Sequence, residues 1–293
     1  MRGGGGKKHD KSLREGSDVL VYIIENLYPK WKPVDIFVDP NGVWHLSGME
    51  TLPSDLTHKV DVVWNTAGSA YQQILDSLSI PTIGQDGFAS LLLDNPGTFS
   101  DFALKNNIRT PRKIVFPAYQ EDIDGEAMEF ASKKAREVWQ KFSPPWIVRA
   151  YNEEKNVAAK VAKTFPDLIS AISELLAHGD SILVEELIPG KVATTHIIPD
   201  FRGEKVYHFP ISSTYNLSTD EKTAIVEAAK KLHSHINNHY LKADFVIHPR
   251  TGAHLLEFSL SPDLRDNSTL DEASASIGVR MSHIINHILE RRA

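Results

Sequence analysis

The sequence predicts an α/β chain that opens with a parallel α/β lobe and continues in α+β style. Three observations carry this. Apolar runs of strand length alternate with amphipathic helical stretches through the first part of the chain. The middle part repeats a strand–helix pass twice. The closing part joins two apolar runs across the turn "HPRTG" into a hairpin, with one acid inside each run, Asp244 and Glu257.

The elements follow in order. The glycine-rich, basic opening "MRGGGGKKHDKSLREG" reads as a floppy tail or as an anion cradle beside a helix, with no strand before it. A helix is expected from about Ser12 to Leu27, then strands in "PVDIFVDP", "GVWHLSG" and "KVDVVWNTAG". The helix "SAYQQILDSLS" and the short run "IPTIG" complete a first lobe, residues 1–88. A central lobe, 89–184, begins with one helical stretch, "GFASLLLDNPGTFSDFALKNN". It continues through the strand "RKIVFP", the helix "GEAMEFASKKAREVWQKF", the strand "PPWIVRAYN" and the helix "FPDLISAISELLAHG". The last lobe, 185–293, follows the strand "SILVEELIP". It holds strands in "ATTHIIPDF" and "EKVYHFP", a helix from Ser218 to about Asn238, the acid-bearing hairpin and a terminal helix.

Composition narrows the function. The 293 residues are 41% hydrophobic and 24% charged with a net charge of −6, which suits a soluble globular protein and argues against one built to bind nucleic acid. With no cysteine, disulfides and thiolate chemistry are excluded, which fits the cytoplasm. No apolar run is long enough to span a membrane. No phosphate-loop or nucleophile-elbow motif is present. His235 and His239 have metal-ligand spacing on a helix but no third ligand beside them, so a solvated helix end is the expected reading.

Asp244 and Glu257 attract the most attention. A carboxylate inside each of two paired strands is costly unless compensated. Either both acids are solvated or paired with cations on an exposed sheet face, or both face one cleft and hold a divalent metal, since hard cations take oxygen ligands. Ser259 lies two residues beyond Glu257, on the same strand face.

The segments "PWIVRA", "ILVEELIPGK" and "KADF…LLEFSLSP" together resemble the ATP-grasp fold. With "RGGGG…SLREGSDVL", "KPVDIFVDPNGVWHL", "LDSLSIPTIG" and "MSHIINHIL", the resemblance narrows to the D-alanine–D-alanine ligases and covers nearly the whole chain. It implies three subdomains with an ATP cleft between the central and C-terminal lobes. The implied activity is an ATP- and Mg²⁺- (or Mn²⁺-) dependent joining of two D-alanines through an acyl phosphate, for peptidoglycan precursors. The implied partners are a small amino acid and, in a homodimer, a second copy. By this resemblance Asp244, Glu257 and Ser259 are the metal ligands. Arg149, Lys155, Glu185 and Glu186 contact the nucleotide, and Lys242 and Ser268 act in catalysis.

The departures from the family fall on the chemistry. Ser259 replaces an Asn, Lys242 an Arg and Arg149 a Lys; Asn95 falls at a phosphate-binding Lys and Val192 at a ribose-binding acid. The phosphate loop becomes "NEEKNVAA", with Glu153 and Glu154 in it. Lys8 falls near the acid that would hold the first substrate's ammonium, and "ISSTYNLS" is short for a lid. Two rival expectations follow: a homologue that binds nucleotide or a partner without efficient catalysis, and a ligase for another amino-acid pair with Ser213, Tyr215 and Ser268 lining a changed pocket.

Overall fold

The computed structural model describes residues 1–6, 8–84, 87–151 and 158–293. They form two compact units: Met1–Leu93, Val192–Phe245 and Glu257–Ala293 make the first, Asp94–Lys191 and Val246–Leu256 the second.

The first unit opens with β1 (Arg2–Gly3), α1 (His9–Asn26), β2 (Ile36–Val38), β3 (Trp44–Leu46) and β4 (Met49–Thr51). Then come β5 (Val63–Trp64), α2 (Ser69–Ser77), β6 (Thr82–Ile83) and α3 (Gly87–Asp94). The expectation of a floppy opening with no strand is corrected. Arg2 and Gly3 pair in parallel with Phe37 and Val38, and Gly4 N–H donates to the Val38 carbonyl at 2.7 Å. Met1 N donates to the Trp64 carbonyl at 2.7 Å and Thr66 N to the Met1 carbonyl at 3.0 Å, which ties β1 to β5 on its other side. Two residues are too few to show a hydrophobic period, so sequence pattern misses them. Gly3 sits at φ +91° with an added Cβ only 2.2 Å from the Val38 carbonyl, so this turn requires glycine.

The second unit holds α4 (Pro96–Lys105), β7 (Lys113–Phe116), α5 (Glu121–Asp124), α6 (Ala127–Lys141), β8 (Trp146–Ala150), β9 (Lys160–Ala162), α7 (Phe165–Leu176) and β10 (Ile182–Glu186). The long helical stretch expected here is broken at Asn95. Pro96 disfavours helical geometry in the residue before it, and the Asn95 side chain caps α4 by accepting from Thr98 N at 3.0 Å. The four strands form an antiparallel sheet in the order β7-β10-β8-β9. Strand alternation sends Phe116, Trp146, Val148, Ile182 and Val184 to one face. There they meet Ala135 and Val138 of α6 and Leu168, Ile172 and Leu175 of α7 in a dry core. Each large side chain buried there contributes about 1.5–3 kcal/mol. Helix α4 contacts β7 at the edge of this sheet.

The rest of the first unit comprises β11 (Lys191–Phe201), β12 (Glu204–His208), α8 (Thr219–Ile236), β13 (Leu241–His248), β14 (Gly252–Ser259), α9 (Thr269–Ala275) and α10 (Met281–Glu290). Its sheet order is β12-β11-β13-β14, with the hairpin tip, 246–256, belonging to the second unit. The opening lobe and the chain's end share one core. Val19, Ile23 and Leu27 of α1 pack in the same cluster as Ile198, Tyr240, Leu270, Ile284 and Ile288. That continuity is why they form one unit. Helix α9 escaped the sequence reading because it is short; Ser268 caps it. His235 lies within α8, while His239 lies past its end beside Arg291, so the two do not share a helical face. Among the described residues no helix is long and apolar enough to cross a membrane.

Candidate nucleotide and metal sites

The face of the central sheet turned away from α6 and α7 carries Lys113, Val115, Ile147, Arg149, Val161, Leu183 and Glu185, by register and alternation. Lys113 lies directly across from Glu185, and Arg149 lies across from Leu183, one diagonal step away. The Glu185 carboxylate is shared: Oε1 meets Lys113 Nζ at 2.8 Å and Oε2 accepts from Arg149 Nε at 2.8 Å. Burial alone would raise the Glu185 pKa, and the two cations overcome it and hold the group below the usual carboxylate range. Around this group the face is apolar: Val115 and Val161 on the two edge strands are 38% and 52% exposed, and Leu183 at its centre is 1% exposed. Glu186 points to the opposite face and makes a two-pronged pair with Arg112, whose guanidinium lies 5.4 Å from the Phe142 ring centre. Lys155, Glu153 and Glu154 lie outside the described residues. Asn95 is occupied as the α4 cap.

The second group lies on the hairpin and its neighbour β11. Asp244 Oδ1 accepts from Thr194 Oγ1 at 2.5 Å, and Lys242 Nζ lies 2.9 Å from Oδ2. Glu257 is exposed on the adjacent strand β14. The Ser259 hydroxyl is engaged locally: it donates to the Ser261 carbonyl at 3.1 Å and accepts from Ser261 N at 3.2 Å. Next to Lys242, Asp263 is held below the usual carboxylate range by its fork to Arg265, at 2.8 and 2.6 Å, against a smaller burial cost. Beneath, buried His196 contacts Tyr240 Oη at 2.8 Å and Thr269 Oγ1 at 3.2 Å. Burial, then the Lys242 charge, pushes its pKa down to about 4.

Other candidates are placed as follows. Ser268 accepts from Asp271 N at 3.3 Å and donates to the Asp263 carbonyl at 3.0 Å, so its hydroxyl serves the helix cap. The segment expected as a shortened lid is pinned to β11 by the Thr194–Ser212 bridge and by Ser213 Oγ donating to the Val192 carbonyl at 2.7 Å. Tyr215 and Val192 are each 50% exposed. Lys8 stands at the N-terminus of α1.

No family model matches the chain. The D-alanine–D-alanine ligase of Halalkalibacterium halodurans is 24% identical over 239 residues, covering 73% of this chain and 74% of that protein. The D-alanyl-alanine synthetase A of Vibrio cholerae superposes with a TM-score of 0.75 over 99% of this chain and 96% of its own, at 16% identity. The chain is a distant homologue of the D-alanine–D-alanine ligases and has their ATP-grasp fold. A Bacillus anthracis D-alanine–D-alanine ligase solved in complex with ATP superposes with a TM-score of 0.67 over 99% of this chain and 94% of its own, at 18% identity. At such identities the ligase likeness establishes the fold, and the chemistry rests on the side chains described above.

Those side chains include residues that sequence reading passed over. Lys113 had one signal, a charge inside the apolar run "RKIVFP", and Thr194 had none, because only the strand pairing brings it to Asp244. The donor chemistry fits Mg²⁺ in kind: Asp244 and Glu257 are hard oxygen donors on neighbouring strands, and Mg²⁺ needs one or two protein carboxylates beside phosphate and water. Ser259 is the weak member, since its hydroxyl is already used. Among the described residues no group of three or more His, Asp or Glu gathers as a metal cluster.

Proposed function

We propose that this chain is an ATP-dependent ligase that joins a carboxylate to an amine, with D-alanine as its first substrate to test. The observation that carries the reading is the cationic group on an otherwise apolar sheet face: two cations sharing one carboxylate, with exposed Val115 and Val161 on the edge strands. The ligase relatives and the ATP complex of the same fold support it.

In this reading Arg149 takes the phosphates by charge-assisted hydrogen bonds, while Ile147 and Val161 flank the base. Asp244 and Glu257 would hold Mg²⁺ or Mn²⁺, which when bound neutralises charge on the transferring phosphoryl group. Lys242, beside Asp244, stabilises negative charge as the substrate carboxylate is phosphorylated and the amine attacks; as Lys it offers a point charge and no fork.

One observation favours a second reading, a homologue that binds nucleotide with little ligation. Both Asp244 oxygens are already engaged, and the lid segment is fastened to β11. Without closure, water reaches an acyl phosphate and hydrolyses it. The experiment is phosphate release from Mg-ATP with and without D-alanine, with direct detection of the dipeptide. Dipeptide formation supports ligation. Release or binding without dipeptide supports the second reading, and no nucleotide binding overturns both.

A further inference from the structure

We propose that Thr194 is a positioning residue of the metal site: its hydroxyl fixes the Asp244 carboxylate through Oδ1 and leaves Oδ2, held by Lys242, as the oxygen that exchanges its partner for a divalent cation. The inference rests on the metal reading of Asp244 above and goes beyond it by assigning a role to a residue outside the expected site.

The two partners of Asp244 differ in how firmly each is held. Thr194 lies on β11, the neighbour of β13 in the sheet, and donates its hydroxyl to Asp244 Oδ1 at 2.5 Å. Its own main chain is fastened at both polar groups: the N–H donates to the Ser212 carbonyl at 2.8 Å, and the carbonyl accepts from Ser212 N at 2.9 Å. A β-branched side chain has few χ1 choices on such a backbone, so the hydroxyl direction is set before any ligand arrives. Lys242 stands on the same strand as Asp244, two residues earlier and on the same face. It reaches Oδ2 at 2.9 Å on a flexible four-carbon stem and is 29% exposed, so it is free to swing into solvent. A carboxylate held by one rigid neutral donor and one movable cation gives up the cation first, because its charge is the one that a divalent ion replaces. The hydroxyl asks for no such exchange. It uses one lone pair of Oδ1 and keeps the carboxylate plane from turning. Hydrogen bonds of this kind behind a ligating carboxylate commonly change metal affinity by roughly 10- to 100-fold.

The test is Mn²⁺ titration, followed by paramagnetic resonance, of wild type, Thr194→Val, Thr194→Ala, Thr194→Ser and Asp244→Asn. Thermal melts confirm that each is folded. Thr194→Val keeps the branched shape and removes only the hydroxyl, and it is expected to weaken Mn²⁺ binding by roughly tenfold or more. Thr194→Ala should act in the same direction and stands in if the valine variant does not fold. Thr194→Ser keeps the hydroxyl and should stay near wild type. A hydroxyl that merely occupied Asp244 would behave differently: its removal would free an oxygen and tighten binding. Tighter or unchanged Mn²⁺ binding by the folded valine or alanine variant therefore overturns the inference, as does a serine variant as weak as these. Asp244→Asn separates this from failure of the underlying reading: an undiminished Mn²⁺ affinity in that variant, or no binding by wild type, overturns the metal site itself and the role of Thr194 with it.

Discussion

The central-sheet face and the hairpin carry similar charged residues and balance them differently. On the sheet face one carboxylate, Glu185, serves two cations, Lys113 and Arg149. On the hairpin Asp244 is paired with Lys242, and just beyond it Asp263 is paired with Arg265. At the hairpin a metal ion would compete with Lys242 for Asp244. Distant ligase ancestry alone would not foretell that contrast. It arises from the way Lys113 and Arg149 share Glu185 while Lys242 and Arg265 each hold one carboxylate.

The largest expected effect tests the shared carboxylate. Glu185→Ala leaves shielded Lys113 and Arg149 facing each other, and breaking a buried pair costs about 3–5 kcal/mol. Denaturant unfolding should show this loss, and a change below about 1 kcal/mol would mean that the three groups are solvated independently.

Next in size is the acid sensitivity of the hairpin side. Unfolded His196 takes up a proton near pH 6.5, while the folded residue resists it until about 4. The unfolded chain therefore binds more protons within that window, and stability falls as pH drops through it. Between pH 7 and pH 5 the His196 contribution is about 2 kcal/mol. Denaturant midpoints of wild type and His196→Gln at the two pH values should differ in their pH dependence by that order, and parallel behaviour would remove His196 as the cause.

Smaller effects separate the two ion pairs of the hairpin. Lys242→Met removes the competitor for Asp244 and should tighten Mn²⁺ binding several-fold, on the order of 1 kcal/mol for a partly exposed pair. Looser Mn²⁺ binding, read by paramagnetic resonance, would show instead that Lys242 organises the site. Arg265 is 80% exposed, so Arg265→Ala should change stability by less than about 1 kcal/mol.

Much of the fold was legible because it rests on period and punctuation. The hairpin, its Gly252 turn and the helices with strong caps, such as Thr164 before α7 and Ser218 before α8, stand out locally. Less legible were features made by pairing at a distance. Strand β1 exists through Val38 and Trp64, and the place of Ser268 at a helix start shows only in the structure. The ambiguity between Glu185 and Glu186 is of the same kind. Adjacent residues in a strand face opposite ways, and the sheet's packed face decides which acid meets Arg149 and which meets Arg112.

The most direct measurement is calorimetric titration of wild type and Arg149→Ala with an ATP analogue and Mg²⁺. The expected result is saturable binding by wild type and a loss of about 1.5–3 kcal/mol in the variant, one charge-assisted hydrogen bond to phosphate. Equal affinities for the two proteins, or no binding by wild type, would contradict a nucleotide site on the Lys113–Glu185–Arg149 face.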